Sequence, residues 1–97
     1  MFIQVIEFST DRFDEIKALV DDYRTTTAGT RTARRGILTK SRDADNRYVN
    51  IVFFDSYEEA MKNSAMPETT AFSEQMMKLT TGQPTFHNLD VVFDETL

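Results

Sequence analysis

The chain has 97 residues, which suits one domain, and a formal net charge of −5, which argues against general nucleic-acid binding. It contains no cysteine and one histidine, so disulfides, thiolate metal sites and a histidine-rich metal site within one subunit are excluded. No basic segment followed by an apolar run opens the sequence, and no apolar run approaches the roughly 20 residues that span a bilayer. We therefore expect one soluble, cytoplasmic domain over residues 1–97, with no membrane or nucleic-acid partner.

The sequence predicts alternating strands and helices, which differ in their hydrophobic period. Strand predictions rest on β-branched and aromatic residues, and helix predictions on apolar residues three or four positions apart. In chain order the predicted elements are a strand over residues 2–8, a helix from Asp11 to about Ala28, strands over residues 33–41 and 47–55, a helix from Ser56 that breaks near Pro67, its continuation to about Thr81, and a strand over residues 85–93. Gly29 and Gly82 are natural helix ends. Ser56 and Glu59 form a capping box, and Pro67 cannot continue a helix.

This order, β-α-β-β-α-β, predicts a ferredoxin-like α+β fold in which helices cover one face of a four-stranded antiparallel sheet. The other face is predicted to be apolar, because the first and third strands carry apolar residues on both of their faces. We assign to the uncovered face Phe2, Ile6, Phe8, Val52 and Phe54. An apolar patch of this size is typical of an interface, so we expect a homodimer formed by two sheets packed face to face.

The stretch from Tyr48 to Phe72 is the most specific part of the sequence. It combines an apolar strand, the tripeptide Phe-Asp-Ser at residues 54–56, an acidic helix start, and Pro67 before a second helix. With this pattern the chain resembles, over nearly its whole length, the dimeric α+β barrel superfamily and within it the antibiotic biosynthesis monooxygenase-like group. The resemblance implies a homodimer whose sheets enclose a cleft. It does not imply one activity, because members include cofactor-free oxygenases of aromatic polyketides, haem degraders and proteins with no known reaction.

The haem-degrading branch of this group allows a comparison by position. That branch places an asparagine on the first strand, a tryptophan at the end of the third and a ligating histidine on the later helix. The matching positions here are Gln4, Phe54 and Phe72, so an amide is kept, the indole is replaced by a phenyl ring and the iron ligand is lost. The comparison therefore implies no haem binding, and we expect no other cofactor and no metal.

Polar residues on the mixed faces of the first and third strands are the candidate ligand-binding groups. Gln4, Tyr48 and Asn50 would orient a ligand in the dimer cleft, between the sheet and the C-terminal region of the helices. Glutamine and asparagine on a covered face otherwise need partners, so a set of structural hydrogen bonds is the alternative interpretation. Phe54 and Phe72 complete the predicted site, because the resemblance places them at pocket-lining positions.

His87 is the default candidate for a catalytic base, because histidine ordinarily changes charge near neutral pH. Alternation along the last strand puts it on the same face as Leu89, Val91 and Phe93. We expect that face to meet the helices, where a buried structural histidine is the alternative.

These features leave functions of different classes open. One hypothesis among the activities found in the group is an enzyme, a cofactor-independent monooxygenase that acts on a small aromatic or polyketide-like molecule. The alternatives are a non-catalytic binding or accessory protein with the same fold, and a structural dimer whose cleft is filled by side chains. An enzyme needs a base within hydrogen-bond reach of a bound carbon acid, whereas a binding protein needs only groups that orient its ligand.

Overall fold

A computed structural model describes all 97 residues as four strands and three helices. In chain order the elements are β1 (Phe2–Ser9), α1 (Phe13–Thr26), β2 (Arg35–Lys40), β3 (Arg47–Phe54), α2 (Tyr57–Ser64), α3 (Pro67–Leu79) and β4 (Thr85–Asp90). The strands form one antiparallel sheet in the order β2-β3-β1-β4. The predicted ferredoxin-like fold is confirmed, and its second helical region consists of two helices. None of the helices is long and apolar enough to cross a membrane.

The starts of the helices follow local signals in the sequence, with one exception. The Ser56 hydroxyl accepts a hydrogen bond from the Glu59 backbone N–H over 3.2 Å, as the capping box predicts. Pro67 is the first residue of α3, where the N–H that proline lacks would have no helical partner. Asp11 does not cap α1. The Thr10 hydroxyl instead accepts a hydrogen bond from the N–H two residues on, over 2.9 Å.

The helices cover the sheet face that carries the even-numbered residues of β1 and β3. Two buried clusters lie between the helices and this face: the α1 cluster consists of Phe8, Ile16 and Tyr48, and the α2 cluster consists of Phe2, Phe54 and Ala60. Ile16 lies on α1 and Ala60 on α2, so these two contacts fix the side of the sheet on which the helices lie.

The uncovered face is therefore the opposite of the one predicted. The assignment of Phe2, Ile6, Phe8, Val52 and Phe54 to it is wrong, because these side chains point towards the helices. Both faces of β1 and β3 are apolar, and the large aromatic side chains fill the deeper space beneath the helices. The face without helices is called the open face from here on. It carries Ile3, Val5, Glu7, Ser9, Arg35, Ile37, Thr39, Arg47, Val49, Ile51, Phe53, Thr85, His87 and Leu89.

Candidate functional site

Three amide side chains cross the helix-covered face of the sheet. Asn50 lies on β3, Gln4 on β1 and Asn88 on β4, and we call these residues the amide row. Gln4 is directly opposite Asn88 in the β1–β4 ladder and is a diagonal neighbour of Asn50 in the β1–β3 ladder. Along β1, the row separates Phe2 of the α2 cluster from Phe8 of the α1 cluster. A polar strip thus divides the apolar core into two parts.

Two members of the amide row are joined by a hydrogen bond. Gln4 Nε2 donates to Asn88 Oδ1 over 3.2 Å. Gln4 Oε1, Asn88 Nδ2 and the whole amide of Asn50 have no hydrogen bond within the chain. Asn88 is exposed and the other two are half-buried, and no fully buried side-chain polar atom lacks a partner. The row therefore presents free donors and acceptors to accessible space.

Tyr48 and Phe54 lie towards the two ends of β3, on either side of Asn50. Tyr48 is 5% exposed, and its ring stacks on Phe13 with centroids 4.5 Å apart and an interplanar angle of 9°. Phe54 is 2% exposed, and its ring centroid lies 6.3 Å from that of Phe2. These two predicted site residues thus lie in the core on either side of the amide row, with their rings packed against other side chains.

Phe72 is not brought to the amide row. Its ring packs against Tyr23 of α1 with centroids 4.5 Å apart, and it lines a surface groove of about 220 Å³ between α1 and α3. It packs against neither the α1 cluster nor the α2 cluster. Asp22 and Glu68 border the same groove, which makes it an acidic surface separate from the neutral row.

A second polar network joins the helices and is structural. The Tyr23 hydroxyl lies 2.7 Å from Thr69 Oγ1 and accepts a hydrogen bond from Asn63 Nδ2 over 3.3 Å. Asn63 Oδ1 accepts a hydrogen bond from the Thr32 backbone N–H over 3.2 Å. Because Asn63 is buried and both ends of its amide are paired, this network holds α1, α2 and α3 together and leaves no group free for a ligand.

His87 lies on the open face, away from the amide row. Its Nε2 is 2.7 Å from Glu7 Oε2. Adjacent residues of a strand point to opposite faces, so His87 and Asn88 lie on opposite sides of the sheet. The expectation that the His87 face meets the helices is wrong. His87 therefore cannot act as a base on a molecule bound at the amide row.

The amide row carries no charge of its own. The ion pairs that shift a pKa lie elsewhere: hydrogen bonds from Arg34 and Lys17 lower the pKa of Asp55 and Asp21, respectively. Asp90 is the one carboxylate that the strands place on the helix-covered face, and it is exposed. The row can thus orient a polar molecule and donate hydrogen bonds to an oxygen that develops negative charge.

Comparisons with known proteins identify the fold. No protein-family model matches the sequence, and the comparison with curated proteins finds no match. Among solved structures, SnoaB, a cofactor-independent oxygenase from Streptomyces nogalater, superposes with a TM-score of 0.81 over 99% of this chain and 95% of that chain, at 21% identity. A candidate antibiotic biosynthesis monooxygenase from Caulobacter crescentus gives a TM-score of 0.83 over 95% and 90% of the two chains, at 16% identity. The chain has the fold of the antibiotic biosynthesis monooxygenases.

The antibiotic biosynthesis monooxygenase fold assigns an architecture rather than a reaction. Rv0793 from Mycobacterium tuberculosis, whose name states no activity, superposes with a TM-score of 0.76 over 99% of this chain and 100% of that chain, at 20% identity. The resemblance found in the sequence is confirmed at the level of the fold group. Function must be argued from the site itself.

Asn88 is the residue of the candidate site that sequence reasoning missed. Alternation along β4 shows that Asn88 and His87 point to opposite faces, but it does not show which face meets Gln4. That requires the register, in which Asn88 is opposite Gln4 and His87 is opposite Val5. Within the antibiotic biosynthesis monooxygenase fold, strand pairing thus supplies the third amide.

Proposed function

We propose that this protein binds a flat aromatic molecule with carbonyl and hydroxyl oxygens at the amide row and oxygenates it without a cofactor. The observation that carries the proposal is the row itself, three neutral amides between two apolar clusters. Amide N–H groups donate to ligand oxygens, and the accessible apolar side chains beside the row, Ile6 and Phe86, contact the ligand rings. Such a site suits a small aromatic or polyketide-like molecule better than a highly charged metabolite.

The proposed reaction consumes only the ligand and dioxygen. A CH₂ group activated by the ligand carbonyl loses a proton to water, and the charge of the resulting enolate lies on the oxygen that the amides contact. The carbanion carbon then reduces dioxygen and bonds to it, which gives a hydroperoxide after protonation. Loss of the second C–H proton cleaves the O–O bond. One oxygen atom becomes the new ketone and the other leaves as water, so atoms and electrons balance.

The amides would contribute by stabilising charge rather than by taking up the proton. N–H donors that already point at the position of a developing oxyanion stabilise it without reorganisation. Deprotonation of a CH₂ group conjugated with an aromatic ketone gives a delocalised enolate, which reduces the need for a strong base. The name of the fold neighbour SnoaB describes a cofactor-independent oxygenase, and this supports the assignment of the same reaction class.

Binding without turnover is the second candidate function. It is favoured by the position of His87, which lies on the opposite side of the sheet and contacts Glu7. Asp90 is then the one strand carboxylate on the helix-covered face, and it is exposed to water. A protein that only holds its ligand would need the amide row and no base.

We also propose that the protein is a homodimer formed through the open face. The chain exposes 6866 Å², whereas a compact monomer of this mass exposes about 5,700 Å². The excess of roughly 1,200 Å² includes the residues after β4, where Val92 and Phe93 are 94% and 77% exposed, and it exceeds the roughly 800 Å² that each partner contributes to an interface of standard size. The centre of the open face is apolar, with Ile3, Val5 and Ile51, which suits sheet-on-sheet packing, and the edge strands add Arg35, Thr39 and Thr85.

Oxygen uptake tests the proposed function. The probe is a dihydroxyanthrone whose two hydroxyls flank the ketone, because it is flat, carries a CH₂ group and can be oxidised to the anthraquinone. Purified protein in buffer free of flavin, nicotinamide and haem is expected to accelerate oxygen consumption and quinone formation together, above the rate without protein. Binding of the probe without faster oxygen uptake would favour the binding protein, and absence of binding would reject both functions.

A further inference from the structure

β4 is the strand that the helices cover least. None of its six residues is buried, and Phe86, which points to the helix-covered face, is 55% exposed. On the neighbouring strand β1, Phe2 and Phe8 are each 3% exposed on the same face. The helices therefore cover this face over β1 and β3 and leave it accessible along β4.

Asn88 lies in this accessible strip, at the outer end of the amide row. Its Oδ1 accepts the hydrogen bond from Gln4 Nε2, which leaves Asn88 Nδ2 as a free donor and Gln4 Oε1 as a free acceptor. Because the two residues are directly opposite each other in the ladder, this donor and this acceptor lie side by side.

We propose, on the basis of the proposed function, that Asn88 is a ligand-binding residue that determines specificity and that the ligand enters along β4. Asn88 Nδ2 donates to the oxygen of a ligand hydroxyl next to the carbonyl, and Gln4 Oε1, whose amide is held by Asn88 Oδ1, accepts from the same hydroxyl. Phe86 is two residues before Asn88 on the same face of β4 and offers an exposed ring against which the ligand rings pack. The site thus selects a flat ring system that carries a hydroxyl on the edge facing Asn88.

The expected selectivity is moderate because this end of the row is exposed. When the ligand lacks the hydroxyl, Gln4 Oε1 hydrogen-bonds to water, and no buried polar group is left without a partner. The ligand therefore loses only the net free energy of a hydrogen bond. One to two such bonds correspond to about a tenfold difference in affinity.

Two probes and two variants test this role. The probes are the dihydroxyanthrone, which carries hydroxyls beside its ketone, and anthrone, which lacks them. The variants are Asn88→Leu, which removes the free donor and keeps a similar side-chain volume, and Gln83→Leu, which makes the same kind of change at an exposed loop residue before β4. Dissociation constants are measured for each pair by fluorescence titration under argon, so that no oxidation occurs.

The unmodified protein and Gln83→Leu are expected to bind dihydroxyanthrone about tenfold more tightly than anthrone. Asn88→Leu is expected to lose this preference while binding anthrone normally. Any of three results would overturn the role of Asn88. The preference survives in Asn88→Leu, the substitution weakens binding of both probes equally, or the unmodified protein shows no preference. Failure to bind either probe would overturn this role and the proposed function together. A preference that depends on Asn88, with no acceleration of oxygen uptake in air, would confirm the residue and reject the oxygenase.

Discussion

Glu7 Oε2 and His87 Nε2 lie 2.7 Å apart on neighbouring strands of the open face. Each polar group thereby meets the other, while the centre of that face is aliphatic. A second surface can cover this end of the sheet without leaving an unpaired carboxylate or imidazole. The open face is therefore suited to an interface even though Glu7 and His87 lie on it, and the proposed homodimer can be tested there.

A charge at the centre of the open face should dissociate the proposed homodimer. Ile51 of β3 is opposite Val5 on one side and Ile37 on the other, so Ile51→Asp places a carboxylate among aliphatic groups with no partner. We expect the unmodified protein to sediment as a dimer at micromolar concentration and Ile51→Asp to sediment as a folded monomer. Ser73→Asp, an exposed change on α3, is the matched control and should remain dimeric. A monomeric unmodified protein in analytical ultracentrifugation would contradict the interface.

The same substitution one residue further along β3 should act on folding instead. Val52 packs against the α2 cluster beneath the helices. Val52→Asp therefore introduces an unpaired carboxylate into the core, and we expect a loss of about 3 kcal/mol or more of the free energy of unfolding. Urea denaturation followed by circular dichroism measures this loss. If the Val52→Asp variant folds normally and its only change is dissociation of the dimer, Val52 lies in the interface.

These neighbouring positions show why the sequence predicts the elements but not the orientation of the sheet. The alternation of polarity along β3 separates Val49, Ile51 and Phe53 from the residues between them, but both sets are mostly apolar. Which set meets the helices depends on the volume beneath them, and there the rings of Phe8 and Tyr48 pack around Ile16. Capping and helix-breaking signals are local, so the sequence predicts the helix boundaries at Ser56 and Pro67. Which face of the sheet meets the helices is a tertiary property.

The sequence predicts some residues of the candidate site but not their arrangement. Gln4 and Asn50 stand out in the sequence because amides are unusual on strand faces that are otherwise apolar. Asn88 could not be assigned before the register between β1 and β4 was known. Phe72 was assigned from the resemblance, but the packing of α3 against α1 turns its ring towards Tyr23.

Removing the inner amides should weaken ligand binding without weakening the fold. Gln4 and Asn50 are half-buried, and apart from the single bond from Gln4 to Asn88 their side chains have no partner in the chain. Gln4→Leu and Asn50→Leu should each raise the dissociation constant for dihydroxyanthrone about three- to tenfold, while the melting temperature stays the same or rises. A lower melting temperature with unchanged binding would show that the amides are structural.

The ion pair between β2 and the end of β3 predicts a pH-dependent effect. Arg34 Nη2 lies 2.6 Å from Asp55 Oδ2, and this hydrogen bond lowers the pKa of Asp55. A carboxyl whose pKa is lowered in the folded state adds stability above its unfolded value of about 3.9, and this stability is lost as the pH falls through the folded value. Arg34→Gln should therefore lower the melting temperature slightly at pH 7, and the difference should vanish in strong acid.

The control for this pair is Arg42→Gln, which removes an exposed positive charge from the turn before β3, where the arginine forms no ion pair. It should leave the pH dependence of the melting temperature unchanged. Because Arg34 and Asp55 are exposed, the effect should also shrink in high salt. An Arg34→Gln difference that is constant from pH 7 to strong acid would mean that the arginine acts through packing and not through its charge.

The Thr10 hydroxyl joins the end of β1 to the end of α3 and should contribute measurably to stability. Thr10 is 1% exposed, and its Oγ1 donates to the Leu79 carbonyl oxygen over 2.6 Å while accepting from the Arg12 backbone N–H. Thr10→Val keeps the shape of the side chain but leaves both backbone groups without this partner, so we expect a loss of about 1–3 kcal/mol of the free energy of unfolding. Thr70→Val, at an exposed position of α3, should change it by less than about 0.5 kcal/mol. The free energies of unfolding of both variants are measured by urea denaturation at one protein concentration, because dimerisation would make the unfolding midpoint depend on concentration. Equal effects of the two substitutions would contradict the role of the Thr10 hydroxyl, since both replace the hydroxyl of a β-branched side chain with a methyl group.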